Sequence, residues 1–240
     1  MAAEHDQLLA NILDRTTRAA PHAVVIFDLD STLLDNRPRQ VRIFRDFGIL
    51  HSVSELLSAE PHHWRGWDLK VPLRNLGLEG PRLDSIYSEL KQFWDECFFT
   101  SEYCRADEPV AGAAAYVQAI ARAGAQIVYL TGRHEGMRSG TIDTLRRHGF
   151  PLPPGNGTAV HLIMKPRVSD DDDAFKQSTH PHVRVLGQVI AAFDNEPLHA
   201  NDLLRSFPHA RVVHLRTNHS GRAIVLSPGI VSIDDFREET

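Results

Sequence analysis

Short unbroken runs of apolar residues, each stopped by a polar one, set the rhythm of this chain. Residues 23–27 (Ala-Val-Val-Ile-Phe) run into Asp28, residues 125–130 into Thr131-Gly132-Arg133, residues 159–164 into Lys165-Pro166, and residues 189–193 into Asp194. Such runs, rich in Val and Ile, belong to strands of a parallel sheet covered on both faces. Between them, 109–123, 136–148 and 197–206 carry helical patterns, and a fifth strand is expected at 211–215. Strand alternating with helix predicts a doubly wound α/β fold, three layers with the sheet in the middle. Ligands of such sheets lie beyond the carboxyl ends of the strands, where all four polar stops fall. The stops are therefore expected to converge.

The gap between Asp28 and Thr131 is far longer than the roughly 30 residues of one strand-helix-strand unit. Residues 39–105 are read as an inserted helical cap, with helix-like patterns at 41–47, 53–58 and 83–98 and with Pro72 and Pro81 as breakers. Residues 1–38 and 106–240 then form the α/β core. Trp64, Trp67, Phe93 and Trp94 fall inside the insertion and are expected to be its hydrophobic centre; Trp64 and Trp67, near Arg65, are the alternative for stacking on a ring.

Composition narrows the function. Of 240 residues 42% are hydrophobic, ordinary for a globular chain and not for a disordered one. No apolar run reaches the ~18 residues of a membrane span, and the first twenty residues carry Glu4, Asp6, Asp14, Arg15 and Arg18. A cytoplasmic location without a membrane partner is expected. Cys97 and Cys104 are the two cysteines, too few for a disulfide framework, and are expected to be plain thiols. A net charge of −5 argues against general nucleic-acid binding, so an anionic substrate would be held by a few placed cations.

The densest chemistry is Asp28-Leu29-Asp30-Ser31-Thr32. If the pleat persists, Asp28 and Asp30 share a face. Two adjacent carboxylates repel unless one is protonated or a cation lies between them, which points to an acid/base pair or a metal site.

Read in order, DxDST after the first strand, TGR after the second, lysine after the third and Asp194-Asn195 after the fourth, the chain resembles the haloacid dehalogenase superfamily of phosphatases and phosphotransferases. The resemblance implies a Rossmann-like core, a required Mg2+ and an aspartyl-phosphate intermediate. Asp28 would be the nucleophile. Asp30 would be the general acid and base, with a pKa near working pH. Asp28, Asp194 and the main-chain carbonyl of Asp30 would hold the metal, and Thr131 and Gly132 would meet the transferring phosphoryl group. Lys165 and Lys176 compete for the phosphate-stabilising role. The segment Leu162-Ile163-Met164-Lys165, with Asp171-Asp172-Asp173 and Lys176, is similar to the phosphatase half of polynucleotide kinase-phosphatases, where the later lysine holds the phosphate, and Lys176 is preferred on that ground. Asn195 stands where the family more often has an aspartate; it or Glu196 would bond a metal-bound water or orient Lys176. Asp170 to Asp173 read as a solvated loop and helix start. Arg37 and Arg39 either touch the substrate or mark the hinge, and Arg133 either enters the pocket or faces solvent. The fourteen histidines receive no role.

The leading expectation is a Mg2+-dependent phosphomonoesterase acting on a small phosphorylated metabolite or nucleotide. The alternatives are a phosphotransferase or phosphomutase with the same intermediate, a phosphatase of polynucleotide 3′ ends, and a silent binding protein of the same fold. Oligomeric state has no signature in the sequence.

Overall fold

The computed structural model describes residues 2–153 and 159–237; the parts of the expected core at 154–158 and at the two termini lie outside them. Helix α1 (Ala2–Ala19) leads into strand β1 (Ala23–Phe27). A two-stranded antiparallel stem, β2 (Leu34–Asp35) and β3 (Glu108–Pro109), brackets α2 (Arg37–Leu50), α3 (Lys70–Asn75), α4 (Gly80–Phe98) and α5 (Ser101–Cys104). Thereafter come α6 (Ala113–Arg122), β4 (Gln126–His134), α7 (Arg138–Arg147), β5 (Val160–Lys165), α8 (Asp172–Leu186), β6 (Gln188–Asp194), α9 (Pro197–Ser206), β7 (Arg211–Leu215) and β8 (Val231–Ile233). The order of the six-stranded sheet is β5-β4-β1-β6-β7-β8, with every pairing parallel. The chain thus leaves β1 toward one edge and returns to β1's other side at β6, which makes the β1/β6 boundary the switch point.

The strand pleat sorts the core into two layers. Val25 and Phe27 pack with Leu8, Leu9 and Ile12 of α1 and with Val117 and Ile120 of α6. Val24 and Ile26 point the other way, to Val183 of α8 and to Ala200 and Leu203 of α9. Burying each such side chain contributes roughly 1.5–3 kcal/mol. Stacking of Phe27 on Phe193, 4.9 Å between centroids, ties β1 to β6 immediately before their acidic ends.

A separate cluster is built from residues between Val41 and Phe98, including Phe44, Phe47, Leu73, Leu90 and Trp94. Trp64 is buried edge-on to Phe44, whereas Trp67 and Phe93 are only partly buried against the cluster. Both cysteines are free and buried. The expected breakers behave otherwise. Pro81 lies in the first turn of α4, and Pro72 lies in the short α3; near a helix start the missing N–H has no partner to lose. Helix α6 begins at Ala113 because Pro109, expected within it, pairs in the stem with Leu34. Among the described residues no helix is long and apolar enough to cross a membrane.

Candidate active site

The alternation that buries Val24 and Ile26 carries Asp28 onto the face of α8 and α9. The backbone N–H of Asp28 donates to the carbonyl of Phe193 (2.9 Å), so β6 stays in register and delivers Asp194 beside it. From α8, the Lys176 ammonium donates to Asp28 Oδ1 (2.7 Å) and to Asp194 Oδ2 (2.8 Å). All three residues are at least nine-tenths buried. Burial pushes the Asp28 carboxyl up to about 6 against the pull of Lys176, with Asp194 adding to the rise. Asp194 is also disfavoured by burial, but Lys176 and His199 hold it below the usual carboxylate range. Lys176, opposed by its own burial, is raised by the two carboxylates.

Asp30 sits just past β1, in a turn where Ser31 adopts a left-handed conformation (φ 62°) and donates its N–H to Leu34 O (2.7 Å). Its carboxylate is clamped. Arg133 reaches both oxygens (Nε to Oδ2 2.7 Å, Nη2 to Oδ1 2.9 Å), and Arg39 adds a bond to Oδ1 (3.0 Å). Burial opposes the charge, yet Arg133 and then Arg39 hold the Asp30 carboxyl far below its ordinary value. A general acid and base needs a pKa near working pH; the guanidinium pair drives that of Asp30 the other way. A fully buried acid, Asp107, lies behind the clamp and bonds both arginines, with Arg133 Nη2 at 2.5 Å and Arg39 Nε at 2.8 Å. Asp107 has no signal in the sequence beyond its place just before β3. Of the arginines left open, Arg133 and Arg39 belong to the pocket. Arg37 pairs with Asp35 at the stem.

Thr131 is buried, and its hydroxyl accepts the N–H of Arg133 (3.2 Å). Gly132 lines the cavity, where a Cβ would lie 2.7 Å from the Asp172 carboxylate. Lys165 is bonded away from Asp28 and Asp194. It donates to the Asp170 carbonyl (2.8 Å) and to Asp172 (2.6 Å) at the same cavity. The acidic run stays at the surface as a loop and helix start, and its carboxylates are bonded there. Asp171 caps α8 through the N–H of Ala174, and Asp173 bonds His199 (2.7 Å) and Arg222 (2.6 Å). The side chains of Asn195 and Glu196 turn from Lys176 toward the C-terminal loop. Asn195 donates to Asn218 O (2.6 Å) and accepts from Thr32 (3.2 Å), while Glu196 accepts from Ser220 N (2.5 Å) and Arg222 (3.3 Å). His199 and Arg222 are thus part of a setting that histidine spacing and sequence distance concealed.

A cavity of about 610 Å3 lies over these groups, with Asp28, Asp30, Arg133 and Lys176 on the core side and rings of the inserted segment opposite. Its size falls within the ~300–1,000 Å3 of small-ligand pockets.

Acidic strand tips at the switch point of a parallel sheet, with an insertion after the first of them, define a haloacid dehalogenase-type fold. The match to solved structures is of that kind. The chain superposes on a haloacid dehalogenase-like hydrolase from Streptococcus pneumoniae (TM-score 0.52, 12% identity, 87% of this chain and 92% of that one). It also superposes on CbbY from Rhodobacter sphaeroides in complex with phosphate (0.51, 15%, 89% and 94%) and on Protein Tyrosine Kinase A from Mycobacterium tuberculosis (0.51, 16%, 88% and 93%). Identities this low carry the fold, and the fold does not choose the reaction. No protein-family model and no curated protein matches the sequence. The finer likeness to polynucleotide kinase-phosphatases is not part of what these structures show.

Proposed function

We propose that the protein is a Mg2+-dependent phosphomonoesterase that passes the phosphoryl group through Asp28. The observation that carries this reading is the convergence of Asp28 and Asp194, from adjacent strand ends, on a single ammonium. Two buried carboxylates held together need positive charge between them, and a phosphoryl dianion approaching a carboxylate needs it as well.

The donor set suits a hard cation. Among the described residues no three His, Cys, Asp or Glu side chains gather as a closed cage. Mg2+ takes one or two carboxylates and fills its remaining positions with water and substrate phosphate. Asp28 and Asp194 supply that number, with the Asp30 carbonyl as the third protein oxygen implied by the resemblance. When bound, the ion would neutralise charge on the phosphoryl oxygens.

The chain's own groups perform the transfer. An Asp28 oxygen forms the bond to phosphorus as the bond from phosphorus to the leaving oxygen breaks, giving an acyl phosphate. Lys176, bonded to that carboxylate, supplies charge to the group in flight. Asp30 is the proton carrier: once the bound substrate relieves it of its arginine bonds, its carboxyl takes up a proton from solvent, gives it to the leaving oxygen, and regains one from the water that hydrolyses the acyl phosphate. Arg133 and Arg39 orient it. The arriving phosphoryl group competes for their N–H donors, which frees the carboxylate for that exchange.

Asp28→Asn tests the reading. With aryl and alkyl phosphate monoesters in millimolar Mg2+, turnover should fall at least a thousandfold while the far-ultraviolet circular dichroism is unchanged. Turnover that survives in clean protein overturns the assignment of the nucleophile. Hydrolysis in 18O-labelled water, placing label in inorganic phosphate, separates a hydrolase from a phosphotransferase.

A further inference from the structure

Phosphate chemistry uses the core side of the cavity and leaves its opposite wall unexplained. Trp67, Trp94, Phe98 and Phe99 line that wall, and they are arranged as one aromatic ladder. Trp94 stacks on Phe98 at 4.3 Å and 18°. Phe99 stands edge-on to Phe98 (5.1 Å, 79°) and to Trp94 (5.9 Å, 85°), and Trp67 stands edge-on to Phe98 (5.7 Å, 87°). The Arg39 guanidinium lies 4.3 Å from the Phe98 centroid, so the clamp on Asp30 and the ring wall meet at one residue. Trp94 and Phe98 are buried and fixed by the cap's own core, whereas Trp67 and Phe99 are only partly buried. The rings that keep more exposed surface are therefore held by rings that keep little.

We propose that this wall is a subsite for a flat ring on the leaving-group side of the substrate, so that the site takes a single phosphate ester of an aromatic or heteroaromatic compound. The proposal rests on the phosphomonoesterase reading for the position of the phosphate. The ring preference rests on the wall alone. Offset and edge-on contacts favour a planar partner over an aliphatic one of equal size, because the ring quadrupole adds to area burial.

The charges around the cavity limit what else the leaving group carries. Seven carboxylates line it, from Asp28, Asp30, Asp170 to Asp173 and Glu196, against five Lys and Arg side chains. Both cations away from the Asp28 and Asp30 clusters are already engaged, Lys165 by Asp172 and Arg222 by Asp173. A second phosphate on the substrate would meet aspartates, at a site where like charge is costly. The lining therefore suits a monoester with one phosphate better than a nucleoside di- or triphosphate or a polynucleotide end.

The experiment separates ring planarity from leaving-group reactivity by pairing compounds of matched size. Calorimetry on the wild-type chain in Mg2+ compares benzylphosphonate with cyclohexylmethylphosphonate, and steady-state kinetics compares the corresponding phosphate esters. The benzyl member of each pair should be favoured at least fivefold, and Trp67→Leu should bring the two within twofold, the benzyl compound losing more than the cyclohexyl one. Phe99→Leu provides the same comparison should Trp67→Leu not fold. Equal affinities in the wild type, or no binding of either phosphonate, overturn the ring subsite. Esters hydrolysed with equal kcat/KM and phosphonates bound equally would remove the subsite and keep the phosphatase. A retained benzylphosphonate preference without hydrolysis of either ester would do the reverse.

Discussion

Lys165 and Lys176 approach the same cavity, yet only Lys176 reaches Asp28 and Asp194, because the first turn of α8 folds Asp172 back onto Lys165. The difference predicts unequal effects on turnover. Lys176→Met should lower kcat/KM for any monoester at least a hundredfold, since it removes the cation from between two buried carboxylates. Lys165→Met should cost tenfold or less, mainly in KM. Comparable losses in parallel kinetics would mean that Lys165 moves onto the phosphate. Asp28 and Asp194 were legible as polar stops on apolar strands, and strand alternation with parallel pairing puts them side by side. Arg39 and Arg133 stood out beside their motifs with their roles left open, and Asp107 did not stand out at all, since a buried ion cluster joins residues that no local pattern relates; among them only Arg133 lies near the carboxyl end of a strand.

At the scale of elements, pattern and structure agree where an element is amphipathic and punctuated, and part where it is not. Residues 197–206 begin with Pro at N1 and become α9 at those bounds. Helix α1 and strand β8 were missed, one because its charged positions obscure the stripe of Leu8, Leu9 and Ile12, the other because three residues show no period. Helix α7 packs so closely on α5 that a Cβ on Gly140 would lie 2.1 Å from Ser101 O and 2.7 Å from Cys104 Sγ. Gly140→Ala should destabilise the protein by about 2 kcal/mol in urea unfolding despite the better helix propensity of Ala; an unchanged midpoint would show that the helices can part at no cost. In α8, His180 is buried with Nδ1 2.8 Å from Ser206 Oγ, and burial followed by the charges of Lys176 and Arg184 pushes its pKa down to about 4. Between pH 6.5 and 4 the unfolded chain takes up a proton that the native one refuses. This group's share of stability is therefore intact above 6.5 and falls by about 3 kcal/mol as pH drops to 4. His180→Gln should flatten that part of the stability profile; a profile parallel to wild type in urea titrations would contradict the assignment.

Across the whole molecule, the cluster of the inserted segment and the cluster on the α1 face of the sheet share little but Phe99 and are joined by polar contacts. The stem of β2 and β3 carries the chain across, and α5 hangs on α7 through the Arg105 to Asp143 ion pair and the bond from Thr144 to Cys104 O. Deeper in, Arg39 of the inserted segment is fully buried against Asp107 and Asp30. A buried ion cluster gains little over an apolar equivalent, but removing one member leaves charges stranded, at about 3 kcal/mol or more. Asp107→Asn leaves two guanidiniums to share the single charge of Asp30 and should lower stability in urea by about that amount. Arg39→Met keeps the apolar stem, frees Asp107 and Asp30 from their tie to the insertion, and acts on the joint itself. Backbone amides of α2 and α4 should then exchange with deuterium at least tenfold faster, while those of β1 and β4 keep wild-type rates. If all four elements change together, insertion and sheet open as one unit; if none changes, the stem and α5 alone hold them, and the cluster serves only to aim Asp30.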